Sequence, residues 1–241
     1  GIVPYFSPAS EVFGTRSLVF GDVYTFSGQR LSGDTAGLRE IVLAAAQTPD
    51  AYAETIRENY LALPGSVDTA VYTLAGEITQ DAQTDFDRAS ALCAYLRSAY
   101  PYTLLQNMPP DNRDFVSWFL LDERQGYCTS FATAMAVMAR MVGLPSRYVE
   151  GYAATPDADG VARVTQQNAH AWAEIYFTGF GWLPFDPTPG IGNSEDGDSS
   201  SDDPQSNPPT PSPSPSPTPT PNPTEEPNGS TPSPSPTPSP D

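Results

Sequence analysis

From residue 36 to residue 142 the apolar positions of this chain recur every three to four residues, and after Pro145 they alternate with polar ones. The first rhythm belongs to helices with one buried face, the second to half-buried strands. Residues 36–62 read as helical, with Leu38, Ile41, Val42 and Ala45 on one face and Ile56, Tyr60 and Leu61 on another. Leu63-Pro64-Gly65 breaks that run. Asp68 is placed to cap the next helix, whose apolar face holds Val71, Leu74, Ala75 and Ile78. Thr84 opens a third helix, with Asp87 three residues on in a capping-box-like arrangement. Its stripe is Phe86, Ala89, Leu92, Cys93 and Leu96, and Pro101 ends it. Phe115, Trp118, Phe119 and Leu121 suggest a short helix after a loop at 107–111. A central helix runs from Cys128 to Val142, with Phe131, Met135, Met138 and Val142 at helical spacing. Gly143 and Pro145 stop it.

The alternating stretches that follow are expected strands at 147–152, 161–165, 171–177 and 182–185, with a turn at 156–160 and a hairpin connection at 178–181. Residues 1–35 alternate weakly and suggest short strands near 17–20 and 23–26. Helices followed by an antiparallel sheet make an α+β fold.

Composition bounds the folded part. Beyond residue 190 an acidic run gives way to Pro/Ser/Thr repeats, which cannot bury enough apolar surface to offset their ordering entropy. The expected organisation is an N-terminal lead-in and helical extension at 1–80, a core at 81–190, and a disordered linker at 191–241. Net charge is −18, and residues 191–241 supply eight acids and no base. The first 190 residues still carry 21 acids against 11 arginines. That balance argues against nucleic acid and anionic membrane surfaces as partners. There is no lysine, and the two cysteines give no disulfide framework. No apolar run is long enough to span a membrane. A chain that begins at Gly1 reads as an excised fragment.

The candidate chemistry rests on three residues. Cys128 stands where the central helix begins, and unsatisfied N–H groups of a first turn favour a thiolate. Its own N–H is placed to receive an oxyanion, and Gly126 lets the backbone approach closely just before it. His170, the one histidine of the chain, lies in Asn168-Ala169-His170-Ala171-Trp172 and suits the role of base and acid. Asp186 follows sixteen residues later. Across the 178–181 turn, residues whose numbers sum to 356–359 face each other, which brings 170 and 186 together. Pro187 then ends the strand and leaves the carboxylate at its tip. Gln125 is a candidate oxyanion helper. Cys93, inside an apolar stripe, reads as a small core residue. Three scattered ligand types without paired spacing do not make a metal site, and no calcium loop is evident. No cofactor is implied.

Four motifs in order carry a family resemblance. They are Gly126-Tyr127-Cys128-Thr129-Ser130-Phe131-Ala132, Gly143-Leu144-Pro145-Ser146-Arg147-Tyr148-Val149, Asn168-Ala169-His170-Ala171-Trp172 and Gly181-Trp182-Leu183-Pro184-Phe185-Asp186-Pro187-Thr188-Pro189. Residues 84–190 resemble the core of the bacterial transglutaminase-like family. The resemblance implies a papain-like fold, in which a Cys-bearing helix packs on an antiparallel sheet, and a Cys-His-Asp triad at Cys128, His170 and Asp186. It implies thiol acyl transfer on protein or peptide amides, including cell-wall peptides, to an amine or to water. It also implies an extracytoplasmic domain of a membrane-anchored parent, for which the Pro-rich tail would serve as tether. Thr129-Ser130 and Asn168 depart from the family's common residues and bear on substrate choice. The competing reading is a catalytically silent binding or scaffolding module.

Overall fold

A computed structural model describes residues 4–6, 12–17, 19, 22–23 and 35–190. The strands expected near 17–20 and 23–26 fall largely outside these residues, and the linker expected beyond 190 falls wholly outside them. Near the N-terminus β1 (Pro4–Phe6) pairs antiparallel with β2 (Val12–Gly14). Helices α1 (Thr35–Ala45), α2 (Ala53–Tyr60), α3 (Thr69–Thr79) and α4 (Asp85–Ala99) follow. Next come α5 (Phe115–Ser117), a π-helical turn at Trp118–Glu123 and α6 (Cys128–Met141). The chain finishes its described part with β3 (Ser146–Tyr152), a 3₁₀ turn at Gln166–Asn168, β4 (Ala169–Phe177) and β5 (Gly181–Phe185).

The single helical run expected at 36–62 is two helices. Pro49 has no N–H and pushes its predecessor out of the helical region, so α1 closes before it. Ile41, expected on the inward face, is exposed, while Val42 beside it is buried. The caps fall where expected: Asp68 accepts from Ala70 N–H at 2.9 Å, and Thr84 accepts from Asp87 N–H at 3.1 Å. Residues 161–165 are not a strand. Val161 and Val164 are exposed, and Thr165 instead caps the 3₁₀ turn with Asn168. The alternation there lacks a neighbouring strand to pair with, and alternation alone does not supply one.

Helix α6 is the centre of the core. Phe131, Ala132, Ala134, Met135, Met138 and Ala139 are fully buried, and Phe131 meets Phe119 edge to face at 5.3 Å. Burial of each large side chain there contributes about 1.5–3 kcal/mol. Small alanines let α3 and α4 approach on one side and the sheet on the other. Gly143, at φ 84°, ends the helix, and Leu144 N–H returns to Ala139 C=O.

The sheet has order β3-β4-β5, antiparallel throughout. Along β4, Ala171, Ala173, Ile175 and Phe177 are buried beneath α6, and His170, Trp172, Glu174 and Tyr176 occupy the alternate positions. On that second face Arg147 pairs with Glu174 at 2.6 Å and lies 4.3 Å from the Trp182 ring centre. The β4–β5 hairpin is pinned to the helices by Asp50, which accepts from Tyr176 Oη at 2.6 Å and Gly179 N–H at 3.0 Å. Gly179 has φ 76°, and a Cβ there would lie 2.0 Å from the Ala45 carbonyl oxygen. Only glycine fits.

Candidate active site

The π-helical turn sets up the nucleophile. Its last carbonyl partner is reached by Arg124, whose N–H returns to Phe119 C=O and whose φ is 57°, the one left-handed non-glycine among the described residues. A π turn ending in a left-handed residue redirects the chain sharply, and such features recur at functional sites. Gln125, Gly126 and Tyr127 then run extended into α6. Gly126 pairs in parallel with Tyr102, accepting from Thr103 N–H at 2.7 Å. A Cβ at Gly126 would lie 2.8 Å from Ser130 Cβ, so the close approach expected here is real.

Cys128 is the first residue of α6 and is half-buried. The residue before it, Tyr127, is extended and provides no side-chain cap. The Tyr127 side chain takes none of the first-turn N–H groups of α6, and the positive end of the helix dipole stands at the Cys128 position.

His170 and Asp186 meet. Nε2 of His170 and Oδ2 of Asp186 are 2.7 Å apart, with the side chains 10% and 23% exposed. The ladder that does this pairs Ala173 with Phe185, numbers summing to 358, so residues 170 and 186 are diagonal neighbours on one face. With Nε2 committed to the carboxylate, Nδ1 is the nitrogen free to exchange a proton. No hydrogen bond joins Cys128 to either residue among the described ones; a thiol–imidazole contact is often loose before substrate arrives.

Asp186 is held from several directions. Its second carboxylate oxygen accepts from Thr188 N–H at 3.0 Å. Its backbone carbonyl accepts from Arg97 Nε at 2.8 Å and from Cys93 Sγ at 3.3 Å, both on α4. Cys93 is thus core, as its spacing suggested, and also a prop for the acidic residue. Burial pushes its thiol up to about 11. The props were missed because nothing in the spacing of Cys93 and Arg97 ties them to a carbonyl some ninety residues away.

Gln125 donates from Nε2 to Glu123 at 3.2 Å, which leaves its second amide hydrogen for another acceptor. Two tyrosines border the nucleophile. Burial raises the Tyr102 phenol above its usual value, and the negative charge of Cys128 adds to that. Burial first, then a bond to Glu150, pushes Tyr148 up to about 12, with Cys128 again contributing. Sequence reasoning singled out neither; two tyrosines among twelve carry no signal without the fold.

Residues 72–187 match the model of the transglutaminase-like superfamily. The chain is 38% identical over 162 residues to YebA of Bacillus subtilis strain 168, covering 61% of this chain and 22% of that protein. It is 37% identical over 131 residues to a protein-glutamine gamma-glutamyltransferase of Pseudomonas aeruginosa, covering 53% and 19%. The chain thus spans about a fifth of the length of these curated relatives. The periplasmic domain of TgpA from Pseudomonas aeruginosa superposes with a TM-score of 0.50 at 31% identity, over 57% of this chain and 48% of that one. Residues 72–187, which hold the helix-start cysteine and the joined His–Asp pair, form a transglutaminase-like, papain-like α+β domain.

Proposed function

We propose that this domain forms a thioester between Cys128 and the acyl group of a peptide or protein amide, and passes that acyl group to an amine or to water. The observation that carries the reading is the 2.7 Å His170–Asp186 contact, which leaves Nδ1 for the thiol of a helix-start cysteine. Nδ1 takes the Cys128 proton as sulfur attacks the amide carbonyl. The C–S bond forms, and the C–N bond breaks as His170 returns the proton to the leaving amine. The incoming amine or water then gives its proton to His170 while its own bond to carbon forms and the C–S bond breaks. Asp186 keeps the imidazole in one tautomer and stabilises the imidazolium. The Cys128 N–H, with the remaining Gln125 amide hydrogen as second donor, receives the oxyanion.

The relationship to the TgpA periplasmic domain supports an extracytoplasmic setting, and the Pro-rich tail supports attachment to a membrane-anchored parent. Cell-wall peptides are then among the accessible acyl donors. Incubation with a glutamine-containing peptide and a fluorescent amine, with peptide hydrolysis followed in parallel, tests the reading. Amine incorporation that vanishes in Cys128→Ala is the expected result. Cleavage without incorporation would make the domain an amidase or protease, and no turnover of any acyl donor would overturn the proposal.

A further inference from the structure

Exposed apolar side chains gather on two segments of this domain. Among the described residues twelve large apolar or aromatic side chains are exposed, and seven of them fall within 102–108 and 152–164. Scattered singly, such residues need no explanation; gathered beside a reactive group, they mark a binding surface.

The first segment carries Tyr102, Leu104, Leu105 and Met108, with Leu105 80% and Met108 85% exposed. It is strapped to the turn that delivers the nucleophile. Gly126 N–H donates to Pro101 C=O at 3.3 Å, and Thr103 N–H donates to Gly126 C=O at 2.7 Å. Ser130 Oγ donates to Gln106 Oε1 at 2.5 Å. Asn107 donates to the Glu123 carboxylate from its backbone N–H at 3.3 Å and from Nδ2 at 3.0 Å. Gly126 and Ser130 stand two residues before and two after Cys128, and the Tyr102 phenol feels the Cys128 charge. The polar side chains at 106 and 107 therefore hold the segment down on both flanks of the nucleophile. A loose loop would fold its leucines away from water; a strapped one keeps them displayed.

The second segment leads from β3 to the histidine. Tyr152 pairs with Ala169, the residue before His170, and Ala153 N–H donates to Asn168 C=O at 2.8 Å. Val161 and Val164 are exposed on the chain between these two anchors. Asp157 fixes the turn there, accepting from Asp159 and Val161 N–H at 3.0 and 2.9 Å. One apolar segment is thus anchored at the cysteine and the other at the histidine. Residues 101–110 carry no charged side chain in an otherwise acidic domain, which suits a neutral, apolar occupant.

We infer that these two segments recognise the acyl donor, and that the donor is an extended polypeptide with bulky apolar side chains flanking the reacting amide. The inference rests on the acyl-transfer reading and narrows its substrate. A polypeptide brings an amide to Cys128 and apolar neighbours to the flanking segments in one molecule, which a lipid does not. The strapped segment is already ordered, so binding loses little conformational freedom there.

The test compares two donors: a glutamine peptide with leucines on either side of the reacting residue, and one with serines. Peptide consumption is read by mass, which covers transfer and hydrolysis alike. Acetylation of Cys128 by p-nitrophenyl acetate, whose acetyl group has no flanking side chains, reads thioester formation separately. The wild type is expected to favour the leucine peptide in kcat/KM by about tenfold, the low end for an added apolar group in a pocket. Leu105→Ser combined with Met108→Ser should cut that preference to within about threefold, with the serine peptide and the ester shifting less than twofold. Ile41→Ser, an equally conservative change at an exposed residue of α1, should leave the preference intact. Equal wild-type rates on the two peptides, or equal losses on both in the double variant, would overturn the inference while leaving acyl transfer standing. So would a double variant that keeps the preference but loses binding to phosphatidylcholine vesicles or a dimer in sedimentation, since the surface would then serve a lipid or a second copy. A wild type that neither consumes peptide nor takes up acetyl on Cys128 would overturn both readings.

Discussion

Cys93 and Cys128 are the same chemical group in opposite surroundings. Burial pushes the Cys93 thiol up to about 11, and it donates to the Asp186 carbonyl. Cys128 is half-buried at an uncapped helix start. Since only a thiolate is alkylated, the folded chain should take up one equivalent of iodoacetamide at neutral pH, on Cys128. Cys93 should react about two to three orders of magnitude more slowly, given its distance from the ordinary thiol range, until denaturant is added. Peptide mapping by mass reads this directly, and early label on Cys93 would contradict its assigned environment. The three candidate residues were legible because each has a rare chemistry in a locally readable setting: a helix start, a lone imidazole on a strand, an acid before a proline. Tyr148, Arg97 and Cys93 were not. Their parts depend on neighbours brought in by tertiary packing, and no local pattern announces a phenol that leans on Thr129 or a guanidinium that meets a distant carbonyl.

At the scale of elements, α4 acts as a brace for the end of β5. Arg97 and Cys93 are one helical turn apart and grip the same Asp186 carbonyl oxygen. Releasing that grip lets the carboxylate drift, and small misplacements near a reacting group are costly. Arg97→Ala is expected to lower kcat by roughly 10- to 100-fold with KM within twofold, and to flatten the acidic limb of the pH–rate profile. Steady-state kinetics with a fluorogenic amide checks this; a change confined to KM would count against a positioning role. The β4–β5 hairpin is fixed differently. Gly179 sits against the Ala45 carbonyl at a left-handed φ, so Gly179→Ala should destabilise the fold by about 2–4 kcal/mol in urea titration. The hairpin itself was visible as Thr178-Gly179-Phe180-Gly181, and its register came out within the expected range. Its docking on α1 was invisible, since Pro49 and the loop after α1 were read as helix interior. The false strand at 161–165 has the mirrored cause: alternation reports one exposed and one covered face only where something covers it.

The molecule as a whole carries a large negative charge and manages it through paired acids. Asp87 is the strongest case. It receives two bonds from Arg39 on α1 at 2.7 and 2.9 Å and caps α4 with Thr84, and the Arg39 bonds hold its carboxyl down at about 2. Asp50 is pushed up by burial, but bonds from Gly179 and Tyr176 outweigh this and lower it on balance. Asp68 is lowered by the Ala70 N–H and then by Arg113. All three shifts have the same sign. A carboxyl whose folded pKa lies below its unfolded value stabilises the fold fully above the unfolded value, and that stability is lost as the pH falls through the folded one. These acids tie α1 to α4, the hairpin to the α1–α2 loop, and the start of α3 to the segment before α5. Urea midpoints should therefore be flat from neutral pH down to about 4 and fall steeply from there toward about 2. Asp87→Asn should start from a lower midpoint at neutral pH and lose part of that acid slope, because its share has already gone. A midpoint that rises on acidification would mean that relief of the overall negative charge outweighs these three pairs, and would overturn the account of how the helices are held to one another.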